Sequence, residues 1–326
     1  MSPPPEPLLV PPDNEPGVDP PAFPKVAEMA RTAEQCLWPT SEVDLSTDTR
    51  DWEELTDAQR ATLTCVLGFF RGAEATVLDN LARRLFTMTR LHEAKEFYGY
   101  QIGCEQVHER MYILLGETLI GDREKRREMM RAVEQLHCVK AKNDWATRWA
   151  NDADADMATL LLVFACVEGI MFSSSFAVIY YVRKYLPNKL RGLTAANDLI
   201  ARDEGLHYRF ACLLLREVVT NKLPQETVHA VVREAAAIEQ DFAREALRNG
   251  GFPGLRTESM VGYVEHIADN LCRDCGYEPI YNTENPLAFM AMVSMQGKTS
   301  FFEKRSTDYK KVNMSAKAWG GDDDDF

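Results

Sequence analysis

Glu105-Gln-Val-His108 and Glu204-Gly-Leu-His207 decide how this chain is read. Each lies in a long stretch of helical periodicity. Residues three apart on a helix are neighbours, with Cβ atoms about 5–6 Å apart, so a carboxylate and an imidazole there can share one ion. A lone Glu-x-x-His is usually a solvated pair. Two of them match the pattern of bundles that hold two metal ions, in which two helices give one such motif each and two more give one acid each. Both further acids are present: Glu74 closes the run Leu67-Gly-Phe-Phe-Arg-Gly-Ala-Glu74, and Glu168 closes Phe164-Ala-Cys-Val-Glu168. Four carboxylates offset two divalent cations, whereas four unpaired acids in a bundle core would be costly. Oxygen ligands with a few imidazoles suit iron or manganese.

Outward from these motifs, almost every long segment has helical periodicity and none alternates as a strand does. The pattern predicts an all-α protein with helices over 26–37, 57–86, 90–120, 122–150, 155–184, 194–221, 225–248 and 256–275. Thr56 and Thr194 are expected as N-caps, and Pro224 and Pro253 punctuate the later connections. Three parts are expected: a Pro-rich disordered arm over 1–25, a helical domain over 26–302 and a flexible tail over 303–326. The arm has none of the charge-then-apolar order of a signal peptide. Residues 157–182 are apolar enough for a membrane span, but Glu168 at their centre is costly in lipid, so a buried central helix is expected. Asp152, Asp154 and Asp156 before it and Arg183 and Lys184 after it suit the helix dipole.

The net charge of −13 argues against a nucleic-acid or anionic-membrane surface, where attraction to phosphate dominates binding. Eight scattered cysteines, several in apolar helical runs, suit reduced, buried thiols of an intracellular protein, and a cytoplasmic location is expected. Cys272-Arg-Asp-Cys275 has redox or zinc spacing but no second Cys/His pair beside it. His92, His137, His229 and His266 lack ligand context and read as surface or packing residues.

Tyr112 lies one turn past His108 and two past Glu105, on the same face. Most buried tyrosines are packing residues with a satisfied hydroxyl. Beside an oxidising metal centre, loss of a proton and an electron from the phenol becomes feasible.

At these residues the chain resembles the small, radical-generating subunit of class I ribonucleotide reductase, of the eukaryotic and viral type. The likeness runs from about Trp38 to the C-terminus. It rests on Trp38-Pro-Thr-Ser-Glu-Val-Asp-Leu45, Phe97-Tyr-Gly-Tyr-Gln-Ile102 and Val139-Lys-Ala-Lys-Asn-Asp-Trp145. Further matches are Val167-Glu-Gly-Ile-Met-Phe-Ser173, Ile200-Ala-Arg-Asp-Glu-Gly-Leu-His207 and Gly297-Lys-Thr-Ser-Phe-Phe-Glu-Lys-Arg305. The resemblance implies a ferritin-like bundle with two iron ions on Glu74, Glu105, His108, Glu168, Glu204 and His207. It implies a stable radical on Tyr112, shielded by Phe172, Phe176 and Ile200, and an electron route through Trp38, Asp203 and His108. Tyr309 matches the relay tyrosine to the large catalytic subunit, and Asp322, Asp323, Asp324, Asp325 and Phe326 resemble the peptide that docks there. Read alone, that acidic ending would be a solvated charge run.

The arm before Ala30 matches the pattern poorly, and at the centre of the site the chain departs from it once. Glu74 stands where the family usually has aspartate, as in a variant group with a mixed manganese–iron centre. That group replaces the radical tyrosine by phenylalanine, and Tyr112 is present here, so two iron ions are expected, with manganese or manganese–iron as alternatives. The implied activity is reduction of ribonucleoside diphosphates to deoxyribonucleotides for DNA replication, by a homodimer working with the large subunit. No substrate site is expected on this chain, and no Gly-rich phosphate loop is present. Another ferritin-like di-iron oxidase, such as an acyl desaturase, would share the ligands but needs neither Tyr112 nor the tail. A radical-free regulatory homologue is the third reading.

Overall fold

The computed structural model describes residues 5–16, 18–80 and 84–290, leaving out the side chains of 73–80. All regular structure among them is helical. In chain order the helices are α1 (Pro24–Cys36), α2 (Asp48–Glu53), α3 (Asp57–Asn80), α4 (Phe86–Met88), α5 (His92–Leu119), α6 (Arg123–Glu134) and α7 (His137–Asn151). There follow α8 (Met157–Cys166), α9 (Ser173–Tyr185), α10 (Arg191–Leu213), α11 (Gln225–Ala246) and α12 (Thr257–Asp274). The helices that carry the two Glu-x-x-His motifs, α5 and α10, pack on each other; α3 lies against α5, and α8 against α10. The three helices that bear Glu74 and the two motifs, and α8, which leads into Glu168, therefore share one core, with α1 laid over α5 and α10.

Local chemistry explains where several helices start. Thr56 and Gln59 form a reciprocal capping box ahead of α3: the Thr56 amide donates to Gln59 Oε1 at 2.9 Å, and the Gln59 amide to Thr56 Oγ1 at 3.3 Å. Asp156 caps α8 through the Thr159 amide at 2.8 Å. Thr194 is not the cap of α10, which begins three residues earlier after Leu190, a residue in the left-handed region at φ 49°. Its free amides are met from α2 instead: Gly192 and Leu193 donate to Asp48 at 2.9 and 2.7 Å, and Leu190 to Asp51 at 3.0 Å. A Cβ on Gly192 would sit 2.6 Å from the Asp44 carbonyl, so glycine is what lets the chain just before α2 approach.

Three expected helices are interrupted, the one over 194–221 by a π turn at Leu214–Val218. The segment 122–150 breaks at Gln135 and Leu136, where Leu136 turns extended (ψ 134°); α6 packs on α3, and α7 beyond the break packs on both α3 and α11. The segment 155–184 is α8 and α9 joined by a π turn over Val167–Met171. The span Met157–Tyr185 is long and apolar enough to cross a membrane, yet 94% of its most apolar window is buried inside the protein, as expected of a central helix. The arm expected over 1–25 is partly packed: Leu8 is buried, its carbonyl accepts the Arg90 amide at 2.7 Å, and α1 already begins at Pro24.

Candidate metal centre and its surroundings

The two motifs meet face to face. His108 Nδ1 lies 3.2 Å from Glu105 Oε2 and 3.0 Å from Glu204 Oε1; His207 Nδ1 lies 3.0 Å from Glu105 Oε1 and 3.1 Å from Glu204 Oε2. Each imidazole thus addresses its own carboxylate and that of the other helix. Glu168 completes the group from the π turn, and ligand atoms of Glu105, Glu168, Glu204 and His207 lie within 4.8 Å of one another. All are buried. The Glu74 side chain is outside the described residues, although its backbone belongs to α3.

Electrostatics mark these side chains as unsettled without a cation. Burial, then the charges of Glu204 and Glu105, push the Glu168 carboxyl well above its usual range. Burial would raise Glu105 too, but His207 and His108 overcome it and hold Glu105 well below. Burial opposes protonation of both imidazoles. Cys104 and Asp203 at His108, and Glu105 at His207, nevertheless hold them well above the usual histidine range. Glu168 Oε2 and Glu204 Oε1 have no hydrogen-bond partner, although Glu204 Oε1 lies 3.0 Å from His108 Nδ1. Orphaned carboxylate oxygens and imidazole nitrogens converging in one buried space fit a hard divalent metal.

The far side of His108 makes a second contact. Its Nε2 lies 3.2 Å from Asp203 Oδ2, the same oxygen that accepts the Trp38 indole N–H at 2.7 Å. A metal-binding histidine commonly gives its other ring nitrogen to a carboxylate, which fixes the tautomer. Arg202 grips the other oxygen of Asp203, through Nε at 2.8 Å and Nη2 at 2.7 Å. Trp38, Asp203 and His108 therefore form one continuous buried chain, with Trp38 and His108 ring centroids 6.2 Å apart. Cys104 joins it, its Sγ 3.3 Å from Asp203 Oδ2 and 3.4 Å from His108 Nε2.

Tyr112 is buried on the same helix as Glu105 and His108. Its ring stacks on Phe70 at 4.7 Å and 8°, and Phe70 in turn meets Phe172 at 5.8 Å and Phe176 at 5.0 Å. Ile200 is buried on α10. Phe70 was missed in the sequence although it stands in the apolar run before Glu74. Also missed was Gln101, one turn before Glu105, whose amide lies 3.4 Å from Glu105 and 3.3 Å from Glu168. The spacing of four was the available signal. Gly169 in the π turn is a necessity of packing: a Cβ there would come 2.7 Å from the Tyr208 ring.

Other expectations resolve plainly. All eight cysteines are free and buried. Cys275 lies 3.4 Å from Cys212, not against Cys272, and neither Cys272 nor Cys275 joins a metal-capable group among the described residues. His229 and His266 contact backbone carbonyls of Glu278 and Thr283. Tyr309, Asp322, Asp323, Asp324, Asp325 and Phe326 lie outside the described residues.

A ferritin-like helical bundle with an internal carboxylate–histidine site is the class that fold and site define. Residues 18–286 match the family model described as ribonucleotide reductase, small chain. The chain is 42% identical over 315 residues to the ribonucleoside-diphosphate reductase small chain of Nicotiana tabacum, covering 97% of this chain and 94% of that one. It is 39% identical over 312 residues to the small chain of vaccinia virus strain Ankara, covering 96% of each. Among solved structures, the Saccharomyces cerevisiae ribonucleotide reductase Rnr4 homodimer superposes with a TM-score of 0.78 at 27% identity, covering 89% of this chain and 92% of that one. This chain belongs to the ribonucleotide reductase small-chain family.

Proposed function

We propose that this protein is the radical-generating small subunit of a ribonucleoside-diphosphate reductase. It would hold two iron ions on Glu74, Glu105, His108, Glu168, Glu204 and His207 and store a radical on Tyr112. The observation that carries this reading is the orientation of His108. One ring nitrogen faces the carboxylates and the other faces Asp203, which holds Trp38. An acyl desaturase has no use for that outward chain.

Bound iron would supply the oxidising power, drawn from O₂, that removes an electron and a proton from a phenol. The rest is done by the side chains. Glu105 and Glu204 each address both imidazoles, so the two halves of the site are held in register. Phe70, Phe172 and Phe176 keep water and reductants from the Tyr112 ring. Asp203 holds the proton on His108 Nε2 and steadies the Trp38 indole for electron transfer. Tyr309 and the ending Asp322–Phe326 would then carry and dock the chain on the large subunit, the phenyl ring filling an apolar pocket and the aspartates meeting basic residues. A cytoplasmic homodimer is the form in which we expect it to act.

The test is loading with ferrous iron and O₂, followed by metal counting and electron paramagnetic resonance. Two metal ions and a tyrosyl signal are expected. A filled centre that gives no radical, with iron or with iron plus manganese, would sink this reading and favour a regulatory homologue. Deleting the last seven residues should abolish reductase activity with the large subunit while the radical signal stays intact. Unchanged activity would remove the proposed role of the tail.

A further inference from the structure

The π turn that carries Glu168 is held by side chains from two other helices. A π turn departs from the α-helical hydrogen-bond register and is found mostly as a single turn inserted in an α-helix. Here its carbonyls are met from outside the regular ladder. Ser173 Oγ donates to the Ile170 carbonyl at 2.7 Å, and Lys142 Nζ of α7 donates to the Met171 carbonyl at 2.7 Å. Lys142 is fully buried, its cation lying 3.6 Å from the Phe69 ring centroid and 3.7 Å from that of Phe242. Its ion-pair partner is Glu239 of α11, also fully buried. Glu239 reaches onward to the start of α9, accepting the Ser174 amide at 3.0 Å and the Ser174 hydroxyl.

We infer that the buried Lys142–Glu239 pair is a clamp that positions Glu168: Lys142 fixes the end of the π turn and Glu239 fixes the first turn of α9 behind it. Neither residue touches the metal-capable group, so both are positioning residues. The inference rests on the metal-centre reading for its purpose, though not for its geometry. Burial lowers Lys142 and raises Glu239 from their ordinary values, so neither charge is tolerated without the other. A lysine and a glutamate kept out of water serve stability poorly, since apolar residues of similar volume often do as well or better. Their value here lies in reaching two backbone groups on either side of Phe172, which no apolar pair could hold.

Three variants test the clamp: Lys142→Met, Glu239→Gln and the two together. Each single variant leaves one buried group uncompensated and should lower the unfolding temperature of the metal-free protein. The double variant should recover most of that loss. Yet in the double variant, amide hydrogen exchange over residues 167–176 should run at least about tenfold faster than in the parent, without a like change in α5 or α10. Metal affinity should fall by about 10- to 100-fold, with an altered absorption spectrum of the loaded centre. Native exchange over 167–176 together with native affinity in the double variant would overturn the proposal. Should that variant not fold, Ser174→Ala decides, because it leaves both charges in place. Faster exchange over 167–176 at an unchanged unfolding temperature supports the clamp, and unchanged exchange refutes it. If the parent protein bound no metal, the metal-centre reading would fail while the exchange comparison still judged the clamp.

Discussion

Tyr112→Phe is expected to erase the tyrosyl signal and the reductase activity of the mixed enzyme while leaving fold and metal content unchanged. The ring is the part of Tyr112 that packs, stacked on Phe70 at 4.7 Å, and phenylalanine keeps that contact. Losing the hydroxyl changes stability by on the order of 1 kcal/mol, far too little to unfold the bundle. The chemistry has no such tolerance, because a stored phenoxyl radical requires an O–H bond from which a proton and an electron can leave. The measurement is electron paramagnetic resonance on parent and variant after identical loading with ferrous iron and O₂, with activity assayed against the large subunit. A signal of undiminished intensity in the variant would show that another tyrosine holds the radical. Tyr98 would then be examined first, being fully buried on the same helix.

How far this site could be read in advance depended on how local its chemistry is. Glu105 with His108, and Glu204 with His207, are one turn apart on single helices, so their partnership is written in the spacing. The helices followed from periodicity for the same reason. Residues whose partners are remote in sequence left no such mark. Trp38 meets Asp203 across 165 positions, and only the family resemblance suggested the pair. Asp48 and Asp51 cap α10 from more than 130 positions away, so Thr194 looked like the better cap. Lys142 and Glu239 were not singled out, because nothing in α7 or α11 alone announces that they meet. The π turn was hidden too: its residues are as apolar as the helices around it, and Gly169 is explained only by Tyr208 of α10.

Asp203→Asn should weaken metal binding by about 10- to 100-fold and abolish reductase activity, although the two side chains have the same shape. The parent carboxylate only accepts hydrogen bonds. Arg202 donates to Oδ1, and Trp38, His108 and Cys104 surround Oδ2. Burial would raise the carboxyl, but the His108 hydrogen bond and the Arg202 charge lower it below the ordinary 3.8, so it is ionised throughout the neutral range. The stability this ionisation gives is present above that ordinary value and lost only as pH falls through the lower folded one. An asparagine must turn its NH₂ one way or the other. Facing Arg202, it sets donor against a fixed cation, so the amide oxygen stays there and the NH₂ points at Trp38 and His108. The indole then loses its acceptor. His108 Nε2 must in turn become an acceptor, which drives the ring proton to Nδ1, the nitrogen that faces Glu105 and Glu204. A proton there blocks ligation, as a wrong tautomer disables a catalytic histidine when its aspartate becomes asparagine. Trp38→Phe is the matched control: it removes the indole donor alone, so it should spare metal content and the radical signal while activity is lost. Metal binding in Asp203→Asn equal to that of Trp38→Phe would show that Asp203 serves the electron route without setting the tautomer of His108.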